Sequence, residues 1–172
     1  MPPRSSDEDD DSWSDSPEDY DDDDDDDDDE EEGAEIEALI SQSDELAERG
    51  DQRRALRLWR KNIDRFADEP IAFYQLALAI FRVIEEASAT EEIWHADADL
   101  VGMYEEAIGI LEEAITMDDE HVDSWNLYGA LLALRENNEE AIVAWERSLE
   151  LDPSQKVVKE DLKRLKKLVE EE

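Results

Sequence analysis

Apolar residues recur at intervals of three and four along most of the chain, from about residue 34 to residue 170. Residues 52–66 show this most clearly, since Ala55, Trp59 and Ile63 fall on one face of a helix while arginines occupy the other positions. A three-to-four residue period is typical of amphipathic α-helices, whereas strands alternate every second residue. No segment shows that alternation, so we predict an all-α domain.

Turn signals divide this pattern into separate helices. Gly50-Asp51 is a typical helix stop, Pro70 fits the first turn of a new helix, and Asp152-Pro153-Ser154 interrupts the chain again. The predicted helices cover 34–49, 52–66, a segment from Pro70 past Val83, a segment from about Asp99 past Ile115, 125–134, a segment through Ala141 and Leu149, and 155–170.

A fixed spacing of aromatic and small residues marks the third helix pair. After Trp125, Gly129 follows at four residues, Ala141 at sixteen, Trp145 at twenty and Pro153 at twenty-eight. Small residues permit two helices to cross closely, large aromatics fill the space beside the crossing, and proline cannot continue a helix. The pattern resembles the tetratricopeptide repeat, a helix pair of about 34 residues.

Two weaker copies of the same pattern lie upstream. In the first copy, Leu39 and Ser43 precede the signature Ala55-x3-Trp59. In the second copy, Phe73 and Ala77 precede Ala107-x3-Leu111, but 18 additional residues separate the two halves.

The insertion in the second copy predicts two lengthened helices around a loop near Ser88–Ala98, which contains Trp94 and His95. Trp94 would either fold back onto the domain or anchor a partner, and the sequence leaves both open. We interpret His95, Asp97 and Asp99 as part of a solvated loop and not as a metal site.

The resemblance implies an α-solenoid of three antiparallel helix pairs over residues 34–172, closed by a capping helix at 155–170. An apolar stripe and a charged outer face on that last helix suit a cap, because repeat arrays need a polar terminal surface. Residues 1–33 contain almost no apolar side chains, so we expect a disordered acidic tail there.

The resemblance also implies a binding site, since the first helix of each repeat lines the concave groove of the family. The first repeat contributes two positions to this groove, Ile40 and Asp44. The groove reads as apolar and aromatic, suited to a helical or extended apolar peptide. It lacks the lysine with which some relatives hold a C-terminal carboxylate. The predicted partner-binding residues are Tyr74, Leu78, Phe81, Arg82, Asp123, Asn126, Ala130 and Leu134.

The charge is strongly negative and unevenly distributed. The chain carries 17 basic and 54 acidic side chains, and residues 1–32 alone hold 20 acids and one base. Such a charge argues against direct binding to nucleic acid or anionic membranes and favours a basic protein partner. With no cysteine and no apolar leader, the sequence predicts a cytoplasmic protein, or a nuclear one in a eukaryote.

Two functions remain open from the sequence. One is a non-catalytic adaptor that needs no cofactor and binds a protein segment in the groove. The other is an acidic chaperone or nucleic-acid mimic whose tail binds a basic protein, with Trp13 and Tyr20 as aromatic anchors. The carboxylates of that tail include Asp21, Asp25 and Asp29. For the tail itself, a purely solubilising role is the other interpretation.

The basic residues are also clustered along the sequence. Of the 17 lysines and arginines, 13 lie within residues 49–65 and 156–167, and the first of these stretches has a net charge of +5. The sequence therefore also suggests that the acidic tail docks on the chain's own basic helix face, although solvated faces balanced by neighbouring acids would explain the clusters equally well.

Overall fold

A computed structural model describes residues 25–89 and 97–171 of the chain, with the side chains of residues 32–89 and 101–171. Within these ranges the chain forms seven α-helices, and a short 3₁₀ turn, Ile63–Phe66, extends the second of them. The helices are α1 (Asp25–Glu48), α2 (Gln52–Asn62), α3 (Pro70–Ala89), α4 (Asp97–Met117), α5 (Val122–Leu134), α6 (Asn138–Leu151) and α7 (Lys156–Glu171).

The first turn shows how the local sequence sets a helix boundary. Gly50 has a φ of +80°, a left-handed conformation that glycine adopts without steric cost. The Gly50 amide donates to the carbonyl of Ala47 at 3.0 Å, and the Asp51 amide donates to that of Leu46 at 2.8 Å. This pair of bonds satisfies the last carbonyls of α1 and reverses the chain, so that α2 packs back against α1.

Each helix packs mainly against its neighbours in the chain, which is the arrangement of a solenoid. α1 with α2, α3 with α4, and α5 with α6 form three antiparallel pairs, and α7 packs on α6. One apolar cluster extends from α1 to α5, and a second joins α5, α6 and α7. The predicted fold class, three helix pairs with a C-terminal capping helix, is confirmed.

The residues that define the repeat pattern lie at the buried helix crossings. The small first-helix residues Ser43, Ala77 and Gly129 are all buried. The second-helix alanines Ala55, Ala107 and Ala141 are completely inaccessible to solvent, and next to them Trp59, Leu111 and Trp145 fill the space between the helices. The spacing read from the sequence is therefore the spacing of the packed core.

The insertion of the middle repeat lengthens both helices of its pair. α3 has 20 residues and α4 has 21, compared with 13 and 14 for α5 and α6. Trp94 and His95 lie outside the described residues, as do the side chains of Asp97 and Asp99.

The start of α1 differs from the expected end of the tail. The range of α1 begins at Asp25 and so includes residues 25–33 of the segment that we predicted as the acidic tail. A helix that is already packed can extend outward without a new nucleation step, and carboxylates are favoured at the positive end of its dipole.

The capping helix carries the expected apolar stripe. Leu162 and Leu165 are buried against α6, with Val158 and Val169 half-buried beside them. Across the described ranges, no helix combines the length and apolar character that a membrane crossing requires.

Candidate functional site

The candidate site is the face formed by the first helix of each pair. α3 lies in the middle of this face and packs against both α1 and α5. Side chains from the three helices can therefore meet, although they are far apart in the sequence.

An ion pair joins the first two helices of this face. Nη1 of Arg82 on α3 donates to Oδ1 of Asp44 on α1 at 3.1 Å. The Arg82 side chain is 28% exposed and that of Asp44 is 49% exposed. Because Arg82 already has a carboxylate partner, it is not available to a ligand as an unpaired cation.

An aromatic contact joins α3 to the start of α5. The rings of Tyr74 and His121 meet edge to face, with centroids 4.9 Å apart and planes at 65°. His121 is the N-cap of α5, and its Nδ1 accepts a hydrogen bond from the Ser124 amide at 3.2 Å. The imidazole thus caps one helix and forms part of the wall beside Tyr74.

The electrostatics of Tyr74 show that these groups share one environment. Burial raises the pKa of Tyr74 to about 12, and the negative charges of Asp123 and Asp44 act in the same direction. The Arg82 guanidinium acts in the opposite direction and does not cancel them. Two carboxylates and one guanidinium therefore act on the Tyr74 hydroxyl.

The predicted apolar groove residues have unequal exposure. Leu78 and Phe81 are half-buried and pack against the core cluster of α1 to α5. Ala130 is half-buried against the second cluster, whereas Leu134 is 56% exposed at the end of α5. Parts of Leu78 and Phe81 remain on the surface, and Leu134 is the most accessible apolar side chain of the set.

Asn126, one of the predicted groove residues, has both of its side-chain polar atoms hydrogen-bonded within the fold. Its Nδ2 donates to Oε1 of Gln155, and its Oδ1 accepts from the Ser148 hydroxyl, both at 2.5 Å. The Gln155 amide group also donates to the Ser148 hydroxyl at 2.9 Å and to the Asp152 carbonyl at 3.0 Å. Asn126 thus links α5, α6 and the start of α7 and is less available to a partner than its position predicts.

Sequence reasoning did not single out Ser148, Gln155 or the capping role of His121. Only one signal was present for them. His121 stands directly before an apolar helix, where a side-chain acceptor is favoured, although histidine is not a common N-cap residue. Ser148 and Gln155 carry no periodic signal, because their role depends on which helices meet.

One known protein family matches part of the chain. The family model described as the tetratricopeptide repeat matches residues 101–156, which include α5 and α6. Solved tetratricopeptide domains share the fold of the helices outside this match as well. Residues 101–156 match the tetratricopeptide repeat family, and the described helices as a whole have the tetratricopeptide fold. No curated protein matches the sequence.

Three solved tetratricopeptide domains illustrate the similarity. The first domain of Spaghetti (RPAP3), bound to the HSP90 peptide SRMEEVD, has a TM-score of 0.62 at 18% identity, over 77% of this chain and 93% of that one. The second domain of human RPAP3, in complex with the HSP70 peptide SGPTIEEVD, has a TM-score of 0.59 at 18% identity, with coverages of 74% and 92%. The Sgt2 domain from Aspergillus fumigatus has a TM-score of 0.62 at 20% identity, with 80% of each chain covered.

The predicted residues of the acidic tail lie outside the described residues or are described only as backbone. Trp13, Tyr20 and Asp21 precede the described residues, and Asp25 and Asp29 are described only as backbone of α1. Among the described side chains, no group of three or more histidines and carboxylates is arranged to hold a metal ion.

We expect two of the four tyrosines of this repeat protein to ionise late. Burial raises the pKa of Tyr74 to about 12, and burial together with the Glu112 carboxylate raises that of Tyr128 to about 12. Below pH 10 both phenols are neutral in the folded and the unfolded chain. Between pH 10 and 12 the unfolded chain loses these protons first, so the free energy of unfolding falls as the pH rises.

The ultraviolet absorbance of tyrosinate measures this directly. The native protein should show an ionisation step near pH 12, and Tyr74→Phe should reduce its amplitude. The same chain in denaturant should ionise with a midpoint near pH 10. A native titration that is complete near pH 10 would show that Tyr74 is not shielded from solvent.

Proposed function

We propose that this protein is a non-catalytic adaptor that binds a segment of another protein on the face formed by α1, α3 and α5. Two contacts carry the proposal: the Asp44–Arg82 ion pair joins α1 to α3, and the Tyr74–His121 ring contact joins α3 to the start of α5. Two tetratricopeptide domains of the same fold are described with bound peptides, which supports a protein segment as the ligand.

The charge of the site indicates what kind of segment would bind. The peptides bound to the two RPAP3 domains end in EEVD and are acidic. Here Arg82 is paired with Asp44, and Asp123 adds a second carboxylate near Tyr74. An acidic C-terminus would therefore meet net negative charge, and like-charge contacts disfavour a partner.

The segment that fits best carries a lysine or arginine together with apolar side chains. The cation would lie near Asp123, which is exposed and makes no ion pair among the described residues. The apolar side chains would cover Leu134 and the accessible parts of Leu78 and Phe81. This combination retains the predicted apolar character of the groove and adds a preference for a basic partner.

A peptide library tests this specificity. Random dodecapeptides displayed on phage are selected on the full-length protein, and the strongest binder is synthesised with a fluorescent label. We expect selected sequences to combine a basic residue with apolar residues. Because Asp123 supplies a partly exposed charge, Asp123→Asn should weaken binding about three- to tenfold.

Two further variants complete that experiment. Leu134→Ser should also weaken binding without lowering the melting temperature, because the leucine is largely exposed. Glu113→Gln removes a carboxylate from the exposed surface of α4, the second helix of its pair, and should leave the affinity unchanged. Selected peptides that are acidic, or an affinity that neither groove variant alters, would contradict the proposal.

A second candidate function uses the acidic segment, and one observation favours it. α1 begins at Asp25, so the end of the acidic run joins the repeat domain directly within one helix. The segment would then hold a basic protein beside the repeats. Binding of this kind should be largely screened at about 0.5 M salt, whereas binding in the groove should persist.

A further inference from the structure

The bases of the first helix pair are only partly neutralised. Residues 49–65 contain seven lysines and arginines, and four of these form ion pairs with carboxylates of the described chain. These pairs are Arg49–Glu45 at 3.4 Å, Arg54–Asp51 at 3.1 Å, Arg60–Glu106 at 2.7 Å and Arg65–Glu35.

The other three bases form a row that we call the basic ridge: Arg53, Arg57 and Lys61. They follow one another at intervals of four residues, so they lie along one face of α2 at a rise of about 6 Å per step. All three are exposed, and in the part of the chain that the structure describes none has a carboxylate partner. In a chain with a net charge of -37, this ridge is an unusual concentration of unpaired positive charge.

The position of the ridge relative to the start of α1 follows from one contact. Arg65, directly after α2, pairs with Glu35 of α1, and the two helices are antiparallel. α1 therefore continues for ten residues beyond this contact, to Asp25, which is about 15 Å. Arg57 lies about 12 Å from the contact in the opposite direction, so about 27 Å along the axis separates Asp25 from the middle of the ridge.

This distance excludes the acidic residues closest to α1. The run that ends in Asp25–Asp29 cannot reach the ridge, because these residues belong to α1, and residues 21–24 extend at most about 14 Å. Five consecutive acids, residues 7–11, precede Asp25 by 14 to 18 positions. A fully extended chain of that length would span about 45–60 Å. Residues 7–11 can therefore span the distance of about 27 Å to the ridge without full extension of the chain.

We propose that the acidic residues 7–11 of this chain bind in cis to the basic ridge of Arg53, Arg57 and Lys61. Charge complementarity and reach carry the proposal, which is independent of the groove function. Single exposed ion pairs contribute little, so the contact depends on several carboxylates acting together and is lost at high salt. The other basic stretch is a poorer acceptor, because α7 also carries Glu160, Asp161, Glu170 and Glu171.

A spin label on the full-length protein tests the contact. The chain contains no cysteine, so Ser12→Cys provides a single attachment site directly after residues 7–11. At low salt, we expect the amide signals of residues 53–61 to lose intensity about twofold, as for a contact made by several weak pairs. The loss should disappear at about 0.5 M salt, and the signals of α7 should not change.

Charge reversals identify the residues responsible. The labelled Arg57→Glu/Lys61→Glu protein should regain the intensity at residues 53–61, whereas Lys156→Glu/Lys163→Glu in α7 should not. Both double changes affect exposed side chains without ion-pair partners in the described ranges, so equal melting temperatures are expected. Unchanged broadening after reversal of the ridge would overturn the proposal, as would broadening centred on α7.

A mixed sample separates binding in cis from binding to a second copy. Spin-labelled protein without ¹⁵N is combined with unlabelled ¹⁵N protein. Because the proposal is intramolecular, the ¹⁵N signals of residues 53–61 should keep their intensity. Equal broadening in the mixed sample would mean that the ridge takes the acidic segment of another molecule, and the proposal in cis would be wrong.

Discussion

Trp145→Ala is expected to lower the free energy of unfolding by about 3–5 kcal/mol, the usual cost of removing a large aromatic from a packed core. Trp145 is only 8% exposed and belongs to the apolar cluster that joins α5, α6 and α7. Its indole Nε1 also donates to the carbonyl of Asn126 at 3.2 Å. The substitution therefore leaves a cavity and removes a hydrogen bond at the same helix crossing.

Urea denaturation followed by far-ultraviolet circular dichroism measures this loss. Val143→Ala is a suitable control because Val143 lies on the same helix but is 63% exposed, so its truncation should change stability by less than about 0.5 kcal/mol. A loss below about 1 kcal/mol for Trp145→Ala would mean that the indole does not hold the third pair together.

Gly129→Ala should destabilise the protein by about 1–3 kcal/mol, although alanine is the better helix former. A Cβ atom at residue 129 would lie 2.5 Å from Cδ1 and 2.6 Å from Nε1 of Trp145. These distances are well inside van der Waals contact, so the indole would have to move. Glycine is needed at this crossing because the aromatic partner is a tryptophan that lies directly against it.

Gly109→Ala provides the matched control for that substitution. Gly109 is in the middle of α4, and a Cβ atom there would meet no atom within 4 Å. The change should therefore stabilise the protein by about 0.5–1 kcal/mol, through the reduced entropy of the unfolded chain. Thermal unfolding of both variants should give shifts of opposite sign, and two shifts of the same sign would contradict the close contact at Gly129.

A double-mutant cycle connects the two sites. If the cost of Gly129→Ala comes from the indole, it should largely disappear when Trp145 is already alanine. The coupling energy between the two changes should then approach about 1–3 kcal/mol. Additive effects would place the cost of Gly129→Ala elsewhere in the helix.

The groove shows how far sequence positions can predict a site. Family positions predict Tyr74, Arg82 and Asp123 as groove residues, because a repeat puts equivalent positions of its first helices on one face. They could not show that Arg82 is paired with Asp44, since that contact spans 38 residues and depends on side-chain conformation. Nor could they show that the Asn126 amide is already bonded to Gln155 and Ser148.

The sequence by itself determined the helices, their pairing and the core, because apolar period and helix stops are local properties. The repeat spacing also predicted which small and aromatic residues meet, since a recurring helix pair places them at the same crossing each time. Only the tertiary structure decided that α1 extends back to Asp25 and that Arg82 pairs with Asp44. It also decided that, of the seven bases in residues 49–65, Arg53, Arg57 and Lys61 have no carboxylate partner among the described residues. These features depend on which charged side chains face each other across helices, and the free energies of such exposed pairs are too small to leave a pattern in the sequence.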